Sequence, residues 1–256
     1  MKKVLVTGGS GFIGKHFVRL IEKSYDVTNY DLKEGYDIRG QLPYGKFDYV
    51  VHFAALKSVP EGEKNPHAFI DTNCWGTVNI LDRYKDARFL NISSSSVNDV
   101  RSVYGATKAF SEHIVMKHPN SLNIRLYNVF GEGQDFKLGG VIAKFICCRF
   151  NNIAPTLYGD GSQTRDFTYV GDVVESIFSL MTSKKVGVSH LGYKKSVSIN
   201  TILNEIYGHN VVRLNQLPIR EFEIKDSCSP EKMPVIKYGR KKGLLRTIKY
   251  YESIRH

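Results

Sequence analysis

Short apolar runs alternate with helix-like patterns through the first half of the chain. The run from Lys3 to Thr7 is followed by Ile13 and Phe17, whose spacing places them on one face of a helix. Strict alternation of strands and helices predicts a parallel sheet covered by helices on both faces. We predict strands over Lys3–Thr7, Asp26–Asp31, Phe47–Phe53, Arg88–Ser93 and Leu122–Tyr127, and helices from Ile13, over Asn73–Tyr84 and over Tyr104–Lys117.

The alternation loosens from about Gly131, where loops punctuated by glycine and proline surround a helix predicted near Gly140–Phe150. A second, smaller region therefore begins there. No apolar run approaches the ~20 residues that span a bilayer, which excludes a transmembrane protein. The apolar stretch after Met1 ends at Thr7, too early for a signal peptide, so we expect a cytoplasmic protein.

Composition adds a charge asymmetry. The 256 residues are 42% hydrophobic, which excludes wholesale disorder, and carry a formal charge of +11. The segment from Lys232 to His256 supplies +7 of this, because eight Lys or Arg residues oppose only Glu252. This tail is either a solvated surface or a field that attracts polyanions. The four cysteines match no metal-binding spacing and are expected to be buried and reduced.

A glycine-rich turn joins the first strand to the first helix. Thr7 precedes Gly8, Gly11 and Gly14, which allow a tight turn and let backbone amides approach a pyrophosphate. Asp31 ends the second strand, where a carboxylate binds adenosine ribose hydroxyls and repels a 2′-phosphate. The pattern predicts dinucleotide binding and favours NAD, although Lys33 keeps NADP open.

Tyr104 and Lys108 lie four residues apart, on one face of a predicted helix. A free phenol has a pKa of about 10, and a neighbouring cation favours its ionised form. We therefore expect Lys108, together with a nicotinamide ring, to lower the pKa of Tyr104. The serines from Ser93 to Ser96 follow the fourth strand, at the sheet edge where cofactors bind, and one should contact the reacting oxygen.

Together these motifs resemble the extended short-chain dehydrogenases of the NAD-dependent nucleotide-sugar epimerase/dehydratase family. The likeness implies a Rossmann-type doubly wound sheet that binds NAD. It covers nearly the whole chain, including His52–Val59, Asn73 before Gly76-Thr77, and Tyr158–Phe167. The cofactor residues it implies are Gly8, Gly11, Phe12, Ile13, Gly14, Asp31, Asp37, Ile38, Phe53, Ala54, Ala55, Lys57, Asn73, Tyr104 and Lys108.

The same resemblance implies a catalytic set of Ser94, Tyr104 and Lys108, with Ser95 as the alternative serine. Counting back from Val97 in the serine motif selects Ser94. Arg220–Ser227 resembles a substrate segment, in which a small residue at Ser227 admits N-acetylated sugars. The implied substrate residues are Lys57, Ser94, Ser95, Asn128, Arg165, Arg220, Glu223 and Ser227.

The resemblance is closest to UDP-glucose and UDP-galactose 4-epimerases, which convert a UDP-sugar through a transient 4-keto intermediate. Ser95 and Ser96 stand where 4,6-dehydratases carry Asp-Glu, which argues against dehydration. Only nine residues separate Ser94 from Tyr104, fewer than is usual in the family. A keto-sugar reductase, a decarboxylase and a non-catalytic nucleotide- or nucleic-acid-binding protein remain open, the last supported only by the basic tail.

The expected organisation follows from the resemblance. It implies an NAD-binding domain over residues 1–128 and 166–192, and a nucleotide-sugar-binding region over 129–165 and 193–256. A homodimer is expected through the helices of Asn73 and Tyr104. We expect no membrane contact and no metal, and we expect the partner to be a UDP-sugar rather than a nucleic acid.

Overall fold

The computed structural model describes residues 1–136, 139–208, 213–220 and 223–254. Its strands are β1 (Lys3–Thr7), β2 (Asp26–Tyr30), β3 (Tyr49–His52), β4 (Arg88–Ser94), β5 (Ser121–Leu126), β6 (Asn128–Phe130), β7 (Thr156–Tyr158), β8 (Thr164–Arg165), β9 (Phe167–Tyr169), β10 (Gly187–Leu191), β11 (Val197–Ser198), β12 (Asn215–Leu217) and β13 (Asp226–Ser227). Its α-helices are α1 (Phe12–Ile21), α2 (Val59–Lys64), α3 (Pro66–Phe69), α4 (Gly76–Arg83), α5 (Val103–Val115), α6 (Val141–Phe150), α7 (Val170–Thr182), α8 (Ile199–Tyr207) and α9 (Gly239–Ser253).

The central sheet has the strand order β10-β5-β4-β3-β1-β2. Neighbouring strands from β2 to β5 pair in parallel, which confirms the predicted α/β fold. The chain passes from β2 across β1 to β3, so the strand order reverses beside β1. In open parallel sheets a ligand binds at the carboxyl ends of the strands that flank such a reversal.

The burial of the strands explains why helices must cover both faces of this sheet. Every residue of β3 is buried, as are the first six residues of β4. Strands buried on both faces need a helical layer on each side. Helix α1 supplies Phe17 and Ile21, which are at most 1% exposed, to one such layer.

Two compact units divide the described chain. The first comprises residues 1–126 and 174–190, and the second comprises residues 127–173 and 191–256. In the predicted domains the chain returns to the NAD-binding domain at residue 166. In the structure it returns to the first unit at Val174, inside helix α7. The functions predicted for these domains stay predictions.

The second unit contains short strands and three further helices. β8 lies between β11 and β13, β7 pairs with β12, and β6 pairs with β9. Helix α9 buries Leu244, Ile248 and Tyr251. The basic tail is therefore largely this helix, whose outer side presents Lys241 and Lys242 to solvent.

The cysteines correct one expectation. The four side chains form no disulfide, and Cys74 is buried, but Cys147 and Cys148 are only half-buried and Cys228 is exposed. The prediction of four buried thiols is therefore wrong for Cys228. Among the described residues, no helix is both long and apolar enough to cross a bilayer.

Candidate active site

The glycine turn between β1 and α1 is closed by contacts that exclude side chains. Gly8 has a φ of +71°, and a Cβ there would lie 2.6 Å from the amide nitrogen of Ala54. A Cβ on Gly14 would fall against the carbonyl oxygen of Gly8. Because only glycine fits both positions, the turn holds the start of α1 directly at the carboxyl end of β1.

The first amides of α1 are available to an anion. Gly11 is the N-cap residue, and no side chain caps this helix or places an acid in its first turn. The amide of Lys15 is bonded to the carbonyl of Gly11, whereas amides before it in the helix have no intrahelical acceptor. Phe12, Ile13 and Gly14 therefore present the N–H groups that a pyrophosphate binds.

Asp31 lies at the end of β2, beside this turn. It is buried, and its two carboxylate oxygens accept hydrogen bonds from the amides of Ser10 and Lys33, each at 2.9 Å. A carboxylate has about four acceptor sites, so capacity for a ribose hydroxyl remains. The side chain of Asp31 therefore both fixes the glycine turn and lies where an adenosine ribose is expected.

The charged groups around Ser10 bear on the choice between NAD and NADP. Its hydroxyl donates to the carboxylate of Glu34 at 2.8 Å, and the ammonium of Lys33 lies 3.4 Å from its carbonyl oxygen. Two carboxylates thus bond Ser10 on the same side of the turn: that of Asp31 through its amide and that of Glu34 through its hydroxyl. The surroundings of the turn favour a free 2′-hydroxyl over a 2′-phosphate.

Asn73 binds the backbone of the segment that follows β3. Its side-chain Oδ1 accepts from the amide of Leu56 at 2.8 Å, and its Nδ2 donates to the carbonyl of Leu56 at 2.9 Å and to the Thr107 hydroxyl at 3.0 Å. These bonds shape the segment of Phe53, Ala54 and Ala55. The structure thus assigns Asn73 contacts with protein, and its predicted contact with the cofactor stays a prediction.

The remaining predicted cofactor residues differ in their surroundings. Asp37 forms an ion pair with Arg39 at 2.5 Å, which holds the pKa of its carboxyl below the ordinary value. Ile38 is buried in the core, where its side chain packs against Gly76. Lys57 is exposed beyond the end of β3. Contact of these three residues with NAD remains a prediction.

Ser94, Tyr104 and Lys108 converge at the carboxyl end of β4. Ser94 ends the strand, and its side chain interacts with that of Tyr104. Lys108, one turn further along α5, is 3% exposed and donates from Nζ to the carbonyl of Ile92 at 2.6 Å. Ser95, the alternative serine, is half-buried in a 3₁₀ turn over Ser95–Val97.

Burial controls the ionisation of this group. It raises the pKa of Tyr104, an effect that the Ser94 hydroxyl opposes, and it lowers the pKa of Lys108 to about 8. In the protein alone, the pKa of Tyr104 therefore moves opposite to the direction expected from Lys108, because removal from water penalises the phenolate.

His52 belongs to the scaffold of the site. Its Nδ1 lies 2.6 Å from the Thr7 hydroxyl and its Nε2 lies 3.1 Å from the Thr77 hydroxyl. Burial, with the charge of Lys108, lowers its pKa to about 3, so the ring is neutral at ordinary pH. Two hydroxyl partners and a neutral ring suit a structural residue that joins β1, β3 and α4.

The second unit brings three of the predicted substrate residues together. The guanidinium of Arg165 forms an ion pair with the carboxylate of Glu223, and β8 pairs with β13 so that Arg165 lies opposite Ser227. Burial lowers the pKa of Arg165, and the charge of Glu223 opposes that shift. This pairing of β8 with the 223–227 segment is not evident from the sequence.

Arg220 and Asn128 have separate partners. The Arg220 guanidinium stacks over the ring of Tyr158, 3.7 Å from its centroid. Asn128 begins β6 and donates its backbone amide to the carbonyl of Asp166 at 3.0 Å. Glu221 and Phe222, which complete the predicted Arg220–Ser227 segment, lie outside the described residues.

Two residues of the site escaped the sequence analysis. The hydroxyl of Ser102 accepts from the amide of Gly105 at 3.1 Å, and the carboxylate of Glu63 accepts from the amide of Val103 at 2.8 Å. A serine directly before the helix is a recognisable N-cap signal. The contact of Glu63 has no such signal in the sequence, because Glu63 lies 40 residues from Val103.

A protein-family model supplies the comparison that decides the relationship. The model of the NAD dependent epimerase/dehydratase family matches residues 4–193, from β1 to beyond β10. The chain belongs to this family. As a member it is an NAD-dependent enzyme, and the match includes the glycine turn together with Ser94, Tyr104 and Lys108.

Individual relatives have different names. A Methanocaldococcus jannaschii protein named “Putative UDP-glucose 4-epimerase” is 31% identical, with 79% of this chain and 81% of the relative covered. UDP-glucuronic acid decarboxylase 4 of Arabidopsis thaliana is 30% identical over 74% of this chain, which spans about half, 53%, of the plant protein. The structure of UDP-N-acetylglucosamine 4-epimerase from Methanobrevibacter ruminantium, in complex with UDP-N-acetylmuramic acid, has a TM-score of 0.84 at 27% identity, covering 98% of both chains.

The residues of this chain fit the NAD that the family uses. The amides at the start of α1 suit the pyrophosphate, and the carboxylate of Asp31 suits a ribose hydroxyl. Gly8 lies so close to Ala54 that no side chain fits at Gly8, and the turn therefore offers the cofactor backbone atoms rather than a side chain there. Among the described residues, no cluster of three or more His, Cys, Asp or Glu side chains suits a metal ion.

Proposed function

We propose that this protein is a 4-epimerase of UDP-sugars, acting on UDP-glucose and UDP-galactose and also on the N-acetylhexosamines. The observation that carries the proposal is the convergence of Ser94, Tyr104 and Lys108 at one sheet edge, with serines at the two positions that follow Ser94. The names of the Methanocaldococcus and Methanobrevibacter relatives support the same class of substrate and reaction.

In the proposed reaction Tyr104 takes the proton from the C4 hydroxyl of the sugar and later returns it. NAD, when bound, supplies a hydride acceptor and donor at its nicotinamide ring. The Ser94 hydroxyl donates a hydrogen bond to the same sugar oxygen as it becomes a ketone. Lys108, buried one helical turn after Tyr104, would hold the nicotinamide ribose of the bound cofactor, and its charge would then favour the phenolate.

The serines favour epimerisation over dehydration. A dehydration needs a general acid and base at neighbouring carbons of the sugar, whereas Ser95 and Ser96 offer only hydroxyls of high pKa. A reaction that moves hydride away and back needs only one proton-transferring group at C4. Tyr104 is sufficient for that task.

The second unit supplies the proposed contacts with the nucleotide sugar. Arg165 and Arg220 bind the diphosphate, Glu223 accepts from a ribose hydroxyl, and Asn128 contacts the substrate. A guanidinium matches two phosphate oxygens at once, and Arg165 is already oriented by Glu223. Ser227, opposite Arg165, is small, which supports acceptance of an N-acetyl group.

The deciding experiment is incubation of the purified protein with a panel of UDP-sugars, N-acetylated members included, and chromatographic separation of the products. We expect interconversion of the C4 epimers with no net formation of NADH. Tyr104→Phe should lower the rate by about 10²–10⁴-fold while the fold survives, because that is the usual contribution of a general base. Tyr44→Phe, which alters a side chain that is 80% exposed, is the matched control.

Near-normal turnover by Tyr104→Phe contradicts the assignment. Decarboxylation is the second candidate, favoured by the likeness to the Arabidopsis enzyme, and release of CO₂ from a UDP-uronic acid would establish it. Stoichiometric oxidation of NADH would indicate a keto-sugar reductase. Salt-dependent binding to RNA or DNA, with every UDP-sugar unchanged, would point to the non-catalytic alternative.

The proposal includes a homodimer. Trp75 is 64% exposed and Phe110 is 44% exposed, and they lie on neighbouring elements, the turn before α4 and helix α5. Large exposed apolar side chains of this kind suit an interface between two copies. Phe110→Glu should yield monomers in light scattering, whereas a wild-type protein that is already monomeric contradicts this part of the proposal.

A further inference from the structure

Tyr104 occupies the first turn of its helix. Helix α5 begins at Val103, and its first backbone hydrogen bond runs from the amide of Ala106 to the carbonyl of Ser102. Amides earlier in the helix have no intrahelical acceptor, and uncapped first turns fray. The position of the Tyr104 phenol therefore depends on the groups that bind these amides.

Side chains bind the amides on either side of Tyr104. The hydroxyl of Ser102 accepts from the amide of Gly105 at 3.1 Å, as an ordinary N-cap does. The carboxylate of Glu63 accepts from the amide of Val103 at 2.8 Å. Glu63 lies on helix α2, so the second bond ties the start of the catalytic helix to a different part of the chain.

Helix α2 is itself well anchored. Ser58 caps it, accepting from the amide of Glu61 at 3.4 Å on its hydroxyl and from the amide of Gly62 at 2.9 Å on its carbonyl. Gly62 is buried, and the ring of Phe69 lies 3.3 Å from where its Cβ would be. The backbone that carries Glu63 is therefore held by Ser58 and by the packing of Gly62 against Phe69, and helix α2 follows the segment predicted to line the cofactor.

We propose that Glu63 is a positioning residue for Tyr104. Its carboxylate forms a charge-assisted hydrogen bond and lies at the positive end of the helix dipole, both of which hold the first turn of α5 in place. The connection between Ser94 and Tyr104 has only nine residues, of which Val100 is exposed. Helix α2 therefore supplies an anchor from outside this short loop. The catalytic consequence rests on the proposed function of Tyr104, but the anchoring does not.

The test compares three variants of the full chain: Glu63→Ala, Glu63→Gln and Glu61→Ala. Glutamine keeps an acceptor oxygen without the charge. Glu61, exposed like Glu63, lies on the same helix, and the structure shows its backbone amide, rather than its carboxylate, in the cap. It is therefore a matched control for loss of a surface acid from α2.

The first readout is hydrogen–deuterium exchange of the amides from Val103 to Thr107, which needs no substrate. We expect exchange about tenfold faster in Glu63→Ala, with Glu63→Gln between that variant and the wild type and Glu61→Ala unchanged. Exchange in Glu63→Ala within twofold of that in Glu61→Ala overturns the proposal.

The second readout is steady-state kinetics. Glu63→Ala should lower kcat about tenfold with KM within twofold of the wild type, and Glu63→Gln should restore most of the loss. Equal kcat in Glu63→Ala and Glu61→Ala overturns the proposal that Glu63 positions Tyr104 for turnover. If the wild type converts no UDP-sugar while exchange changes as expected, the proposed function fails and the anchoring by Glu63 stands.

Discussion

Asn73 and Leu56 are joined by a reciprocal pair of hydrogen bonds, in which the side-chain amide imitates a backbone partner. The Leu56 amide donates to Oδ1 at 2.8 Å and the Leu56 carbonyl accepts from Nδ2 at 2.9 Å. The same Nδ2 donates to Thr107, the residue before Lys108, at 3.0 Å. One buried side chain therefore binds both the segment after β3 and helix α5, which carries Tyr104 and Lys108.

We expect Asn73→Ala to lower the free energy of unfolding by about 2–4 kcal/mol, because the backbone of Leu56 loses both side-chain partners and the buried Thr107 hydroxyl loses a donor. The affinity for NAD should fall at the same time, since the segment of Ala54 and Ala55 loses its support. Urea denaturation and calorimetric titration with NAD measure the two effects. A loss below about 0.5 kcal/mol contradicts the role assigned to Asn73.

Gly14→Ala should both destabilise the protein and weaken NAD binding. The new Cβ would collide with the carbonyl oxygen of Gly8, so the turn or the start of α1 must move. We expect a cost of about 1–3 kcal/mol, as for other overpacked sites, and a Kd for NAD at least about tenfold higher. Gly40→Ala is the control, because its nearest neighbour, the carbonyl oxygen of Asp37, lies at 3.5 Å. Equal effects of the two substitutions would contradict this account of the turn.

Lys108→Met should abolish turnover while raising stability. Burial lowers the pKa of Lys108 to about 8, so at pH 7 the folded protein holds an ammonium that is more stable in water. Each pKa unit corresponds to about 1.36 kcal/mol, and we expect a gain of about 1–3 kcal/mol without added nucleotide.

The sign of the pH dependence provides the check on Lys108. Between about pH 8 and the ordinary lysine pKa, the unfolded chain binds a proton that the native Lys108 does not. Wild-type stability from this group therefore rises with pH in that window, and the advantage of Lys108→Met shrinks. Unfolding free energies at pH 7 and pH 9.5 measure the change. The prediction is contradicted if Lys108→Met is no more stable than the wild type at pH 7, or if the difference in unfolding free energy between the two proteins widens with pH.

His52 should contribute acid sensitivity. Its pKa is lowered to about 3, so below the ordinary value of 6.5 the unfolded chain binds a proton that the native protein does not. Stability from this group is complete above pH 6.5 and falls by about 1.4 kcal/mol per pH unit as pH drops toward 3. Between pH 7.0 and pH 5.0, His52→Gln should lose less unfolding free energy than the wild type, as measured by urea denaturation. Identical losses contradict the neutral, buried state of His52.

The strands and helices of the first unit were predictable because each has a local signal. Apolar runs bounded by turn residues predicted β1 to β5 within two residues at either end, and the sequence pattern also predicted α1 and α5. The helix predicted from Asn73 begins earlier, because the chain enters α4 through α3 and a π-helical turn over Ile70–Trp75. Such a turn depends on contacts of the helix with its neighbours and has no period of its own.

The grouping of Ser94, Tyr104 and Lys108 was predictable for a different reason. Tyr104 and Lys108 are one helical turn apart, so their proximity is a property of the local sequence. The order of the sheet brings Ser94 to them, since β4 ends beside the start of α5. The direction of the Tyr104 pKa was not predictable, because it depends on how completely the surrounding chain removes the phenol from water.

The sequence by itself determined the alternating fold, the glycine turn and the residue types available for catalysis, because these depend on neighbours within a few positions. Only the tertiary structure decided that Asn73 holds Leu56, that Arg165 pairs with Glu223 and that Glu63 caps the helix of Tyr104. Those partners are far apart along the chain, and burial sets the pKa values of Lys108 and His52. Hydrogen bonding and desolvation between distant segments exist only once the chain has folded.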